Sequence, residues 1–210
     1  FVNTLVDAVY DAGGVPFVFL HDRRVERCVY RRASDEQFKF MAGHDAKLMS
    51  EMQCYIGVRG GGNSFELSDL PSDRMQAFSS LYSHPVHHEQ RVAKTKWVIL
   101  RYPTEGMAQL AGMSTEAFED FFYDVCCLDY GKMDKAMDPL VELMNKTDKV
   151  RIVAKDTDLS FSIKGIPAVK CAGHMNIPDG EVYTAPVRDS VNGVIHYNVP
   201  SIENGYKYED

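Results

Sequence analysis

The sequence has no run approaching the eighteen or so consecutive apolar residues of a membrane span. That excludes a helical integral membrane protein, and no membrane partner is expected. Positive charge is also short: 23 Lys and Arg stand against 30 Asp and Glu, a net charge of -7. Nucleic-acid domains usually carry the opposite balance, so nucleic acid is not an expected partner. Cysteine is scarce. Five of them, an odd number along 210 residues, do not suggest a disulfide framework, and a reduced, cytoplasmic compartment fits better. No basic-then-apolar leader opens the chain. The G-x-S-x-G elbow of the common α/β serine hydrolases is missing, as are the G-x-G-x-x-G and P-loop patterns. What is present is ordinary: 45% hydrophobic and 25% charged residues, globular proportions that exclude a disordered tail, a fibre or a coiled-coil rod.

Helix and strand signals alternate through the first half. Val2, Leu5, Val6 and Val9 recur at helical spacing, and Gly13-Gly14 ends the pattern. Val15 to Leu20 is a continuous apolar run, as in strands buried on both faces. Ser34 with Gln37 three residues on is a capping-box pattern that opens the next helix. Cys54 to Val58 is strand-like and runs into Gly60-Gly61-Gly62. Met75, Phe78 and Tyr82 mark a helical stripe, Trp97 to Leu100 a third buried strand, and Ser114 a cap for a helix through Phe118, Phe121 and Phe122. The alternation predicts an α/β fold, a parallel sheet flanked by helices.

The pattern changes after Thr147. Met137 to Met144 is the last strong helical stripe. Residues 150–153, 159–163 and 191–197 are short, partly alternating segments separated by Asp, Gly and Pro turns, which predicts strands without intervening helices. We therefore expect an α/β domain over 1–147 and the β-rich, incomplete start of a second domain over 148–210. The second is too small for a comfortable core of its own. Phe1 opens inside a helical pattern and the chain stops shortly after a strand-like stretch. The expectation is a piece of a longer protein.

Few residues carry obvious chemistry. Gly60-Gly61-Gly62-Asn63-Ser64 follows a strand, where phosphate loops occur, but no Lys-Ser/Thr pair completes it, and a strand-to-helix turn is the expected role. His84, His87 and His88 could approach a metal only through 84 with 87 or 88, and no Cys or carboxylate cluster completes the set. They read as solvated surface groups. Cys126-Cys127 reads as helix packing. The segment from Cys171 to Pro186 stands out. Pro178-Asp179-Gly180 is a strong turn signal, and Glu181 directly after it opens a strand-like Val182-Tyr183-Thr184. A carboxylate at the mouth of such a turn can reach a metal or a substrate. Taken alone, Glu181 reads more readily as a surface residue closing the turn than as a ligand.

Asn176-Ile177-Pro178-Asp179-Gly180-Glu181-Val182-Tyr183-Thr184-Ala185-Pro186, with Ser190-Val191-Asn192-Gly193 after it, resembles the signature of the thermophilic metalloaminopeptidase family M29. Two further stretches resemble the same family, in the same order. One is Arg101-Tyr102-Pro103-Thr104 followed by Met107 to Ser114; the other is Thr147 to Ile152 running to Thr157-Asp158-Leu159. One departure is Lys155-Asp156, where the family usually has a Gly-containing turn.

The resemblance implies a cytoplasmic, dimeric exopeptidase that removes N-terminal residues from peptide substrates with two divalent metal ions: zinc, cobalt or manganese. It implies that Glu181 is a metal ligand. The other family ligands, a second glutamate, histidines, a His-x-Asp aspartate and a tyrosine, have no counterpart here, and His196 is followed by Tyr197-Asn198. No catalytic residue is assigned. We expect this chain alone to bind no catalytic metal and to be inactive, because Asp156, Asp158 and His174, the nearby candidates to join Glu181, have no ligand-pair spacing. The alternative is a non-catalytic α/β module for assembly or substrate access.

Overall fold

The computed structural model describes residues 1–199 in full and, beyond them, the backbone of 201–203 and 206–208. The first predicted helix forms as α1, Val2–Asp11, and the chain turns at the two glycines that follow. The next expectation fails. Val15 to Leu20 is an irregular, exposed segment rather than a buried strand, with Leu20 86% and Val15 76% exposed. An apolar run becomes a strand only where another strand takes up its backbone N–H and C=O groups, and no described strand pairs with it.

Helix α2, Arg23–Tyr30, starts at Asp22, whose carboxylate accepts the Arg24 N–H at 2.8 Å. Helix α3, Asp35–Glu51, starts at Ser34, whose hydroxyl accepts the Gln37 N–H at 3.2 Å, as the capping pattern predicts. Tyr30, Phe38, Leu67, Leu70 and Ala77 form one core around these helices, with the Tyr30 and Phe78 rings stacked at 4.2 Å. Helix α4, Ser72–Phe78, continues into a π-helix, Ser79–Val92, with Pro85 inside it. Proline has no N–H and its ring crowds the carbonyl one turn back, so an α ladder cannot pass through it undisturbed.

This helical stretch is the crossover between two parallel strands. Strand β1, Cys54–Arg59, pairs with β2, Lys96–Arg101, in register from Cys54↔Lys96 to Arg59↔Arg101. Four helices follow: α5 (Glu105–Leu110), α6 (Thr115–Cys126), α7 (Tyr130–Ala136) and α8 (Asp138–Lys146). Ala108, Phe118, Phe122 and Cys126 form a second small core between α5 and α6. Cys126 is buried as the sequence suggests, but Cys127, just past the helix end, is exposed.

Beyond α8 the chain is β-rich. Strands β3 (Lys149–Ala154) and β4 (Thr157–Ser162) form a hairpin that β8 (Asn192–Val194) extends. Strand β5 (Val169–Cys171) pairs with β7 (Glu181–Tyr183), and β9 (Ser201–Glu203) with β10 (Tyr206–Tyr208). The third strand of the parallel sheet also comes from here: β6, Asn176–Ile177, pairs with β2 through Ile99↔Asn176 and Leu100↔Ile177. The sheet order is β1-β2-β6. The fold is α/β, a parallel sheet flanked by helices, but its third strand is 176–177 rather than 15–20.

Candidate functional site

In an open parallel sheet, ligands bind in the crevice outside the carboxyl ends of the strands. Here those ends are Arg59 and Arg101, which are direct partners, and Ile177, which pairs with Leu100 just before Arg101. A cleft of about 530 Å³ opens there. Its walls are Arg59 from β1, Ile99 and Arg101 from β2, and the run from Asn176 to Glu181. Its volume falls in the ordinary range for small-ligand sites, roughly 300–1,000 Å³.

The turn after β6 places the acidic side of the cleft. The chain leaves the parallel sheet at Ile177, turns through Pro178-Asp179-Gly180, and enters β7 at Glu181, which pairs with Cys171. Asp179 does not point freely into the cleft, since its carboxylate accepts the Gly173 N–H at 2.8 Å. That bond ties the turn to the end of β5. Lys170, next to it, is anchored to Asp138 at 2.6 Å and Asp134 at 3.1 Å. Glu181 is exposed, and among the described residues its carboxylate has no hydrogen bond or ion pair. Burial, then the nearby Asp179 and Glu181 charges, push the Cys171 thiol up, so it is not set up as a nucleophile.

The basic side is Arg59 and Arg101. They are direct register partners on neighbouring strands, and neither guanidinium makes a hydrogen bond or ion pair among the described residues. Sequence reasoning singled out neither as a site residue. The sequence marks each only singly, as the end of an apolar strand run; that the two meet where parallel sheets bind ligands follows from the register.

The other candidates do not join this site. Asp158 is held by Arg151 at 2.8 and 2.7 Å, and Asp156 sits in the β3–β4 turn. His174 is exposed. His84 lies 3.4 Å from Glu89 and stacks on His88, both on the outside of the π-helix. His87 departs from the expected solvated role. It is half-buried, and its Nδ1 accepts the Arg91 Nε–H at 3.3 Å. Burial, then the Arg91 and Arg59 charges, hold its imidazole down to about 4. Gly60-Gly61-Gly62 is the turn expected of it, and the Gly61 carbonyl accepts the Thr104 hydroxyl at 3.2 Å.

A catalytic zinc site takes three protein ligands. Among the described residues no three His, Cys, Asp or Glu side chains converge to hold an ion. Glu181, with its oxygens unengaged, suits the role of one ligand; the described residues do not supply a set. No described helix is long and apolar enough to cross a membrane.

Comparison with curated proteins returns no match. Comparison with family models does: the model described as thermophilic metalloprotease (M29) matches residues 1–210, the whole chain. The chain therefore belongs to the thermophilic metalloprotease (M29) family, a family of metal-dependent peptide hydrolases.

Proposed function

We propose that these residues are the substrate-cleft portion of a metal-dependent aminopeptidase, with Glu181 as one metal ligand. The observation that carries this reading is the unengaged Glu181 carboxylate at the mouth of the cleft, in a chain of a metalloprotease family. The donor count supports a further step: the remaining ligands lie outside the described residues. The assembled enzyme uses two divalent ions, zinc, cobalt or manganese, acts on peptides from their amino ends, and works as a homodimer. The five free cysteines suit a cytoplasmic setting.

Release of amino acid from amino-acid p-nitroanilides by the full-length protein tests this. Chelator is expected to abolish release, and Glu181→Ala to lower kcat/KM at least roughly 100-fold, more than loss of an outer partner of a metal ligand costs. Activity unaffected by chelator would refute the reading. The 210-residue chain alone is expected to bind no zinc, cobalt or manganese stoichiometrically at micromolar concentration in calorimetric titration.

The absence of a converging ligand set among the described residues supports a second reading, a non-catalytic α/β module for assembly or substrate access. Under it, the natural full-length protein releases no amino acid from any p-nitroanilide.

A further inference from the structure

Arg59 and Arg101 are an unusual pair to find side by side. As register partners on adjacent parallel strands, they sit about 4.8 Å apart at the backbone with side chains on the same face. Like charges directly opposite on a sheet destabilise it. The chain has the means to neutralise them, since it carries 30 acidic residues against 23 basic. Two acidic residues even line the same cleft, yet no ion pair forms there among the described residues. Asp179 is committed to the Gly173 N–H, and Glu181 stands unengaged. The cleft thus holds a doubled positive end and a separate negative end without letting them collapse onto each other.

We propose that the Arg59–Arg101 pair is a carboxylate subsite that binds the C-terminal carboxylate of a short peptide, so that the substrates of this cleft are di- and tripeptides. A guanidinium presents a planar fork of donors that matches the two oxygens of a carboxylate, and two forks on neighbouring strands can hold one carboxylate between them. The charge layout fits a small zwitterion, with its amino end toward Glu181 and its carboxyl end on the arginines. A cleft of about 530 Å³ is of a size for such a ligand. This inference rests on the aminopeptidase reading, which puts the amino end at Glu181.

The test uses the full-length, metal-loaded protein and three comparisons of kcat/KM. Leucine p-nitroanilide, which has no carboxylate, reports the aminopeptidase activity itself. Leucyl-glycine against leucyl-glycinamide reports recognition of the C-terminal carboxylate. Leucyl-glutamic acid α-amide, whose side-chain carboxyl is free, against leucyl-glutamine amide reports recognition of a side-chain carboxylate instead. The expected result is a preference for leucyl-glycine over its amide of at least roughly tenfold, the lower end of what a charge-assisted bond contributes. The preference should fall to near one in Arg59→Gln/Arg101→Gln, with Arg→Lys at both positions intermediate because the charge stays and the fork is lost. Equal rates for acid and amide, with leucine p-nitroanilide cleaved, overturn this inference and leave the aminopeptidase reading standing. A preference for the side-chain carboxylate alone overturns it as well. No cleavage of any of these substrates refutes the aminopeptidase reading on which it rests. If the double variant fails to fold, the acid-to-amide ratio of the unmodified protein decides the matter by itself.

Discussion

Gly173 shows how one residue fixes the acidic side of the cleft. Its φ of +79° lies in the left-handed region, and a Cβ there would sit 2.7 Å from the Tyr130 ring. Its N–H holds Asp179, and with it the turn that leads to Glu181. Gly173→Ala should therefore cost about 2–4 kcal/mol, the left-handed backbone and the ring clash together. Gly165 is the natural control, having φ +78° but no atom near its missing Cβ; Gly165→Ala should cost only about 1–2 kcal/mol. Equal losses in urea denaturation would show that Tyr130 does not constrain this turn. His87 makes a second prediction at this scale. The folded protein holds it neutral down to about 4, against 6.5 ordinarily, first through burial and then through Arg91, Arg59 and His88, with Asp45 acting weakly in the opposite sense. Between those values the unfolded chain binds the proton and the folded chain does not. Stability is thus fully present above about pH 6.5 and declines as pH falls toward 4. Partial exposure tempers the size to about 1–2 kcal/mol. His87→Gln should flatten the stability profile between pH 6.5 and 4; an unchanged slope would remove His87 as its source.

The β3–β4 hairpin illustrates the same logic in an element. Lys155-Asp156 forms its two-residue turn, and Asp156 adopts φ +54°. Aspartate is among the few non-glycine residues that tolerate that region. Asp156→Gly should be neutral or slightly stabilising, within about 0.5 kcal/mol, whereas Asp156→Val should cost about 1–2 kcal/mol. Chemical denaturation of both variants checks this; a destabilised glycine variant would show that the Asp156 side chain contributes something beyond its backbone angle. This hairpin, the capped helix at Ser34, β1 and β2 were legible in the sequence because their signals are local: a cap, an apolar run, a two-residue turn. Strand β6 was not legible. It is two residues long, and only its pairing with β2, 77 positions earlier, makes it a strand. The exposed 15–20 segment misleads for the converse reason, since its composition is that of a buried strand but no described strand pairs with it. The site divides in the same way. Glu181 carries a turn signature of its own, while Arg59 and Arg101 become neighbours only through parallel pairing, which no local pattern encodes.

Taken whole, the chain exposes 14854 Å² of surface, whereas a compact monomer of 23.7 kDa exposes about 9,800 Å². Only Phe38 and Val86 are large, fully buried side chains among the described residues. Many large apolar side chains lie on that surface. Val15, Phe17, Val18, Phe19 and Leu20 are all more than half exposed in one continuous segment, and contiguous apolar patches on monomers are normally a few hundred Å² at most. The net charge of -7 opposes association but does not cover such a patch. The 210-residue chain by itself should therefore self-associate with rising concentration and bind a hydrophobic dye. Phe17→Ser/Leu20→Ser should weaken both effects. Because those side chains are 61% and 86% exposed, the melting temperature should stay nearly unchanged, each substitution costing within about 0.5 kcal/mol. Sedimentation velocity across a concentration series, with dye fluorescence on the same samples, reads both effects. A chain that stays monomeric at high micromolar concentration and binds no dye would mean that residues 15–20 are covered in solution. A double variant that lost several kilocalories of stability would mean that they pack against the rest of the chain.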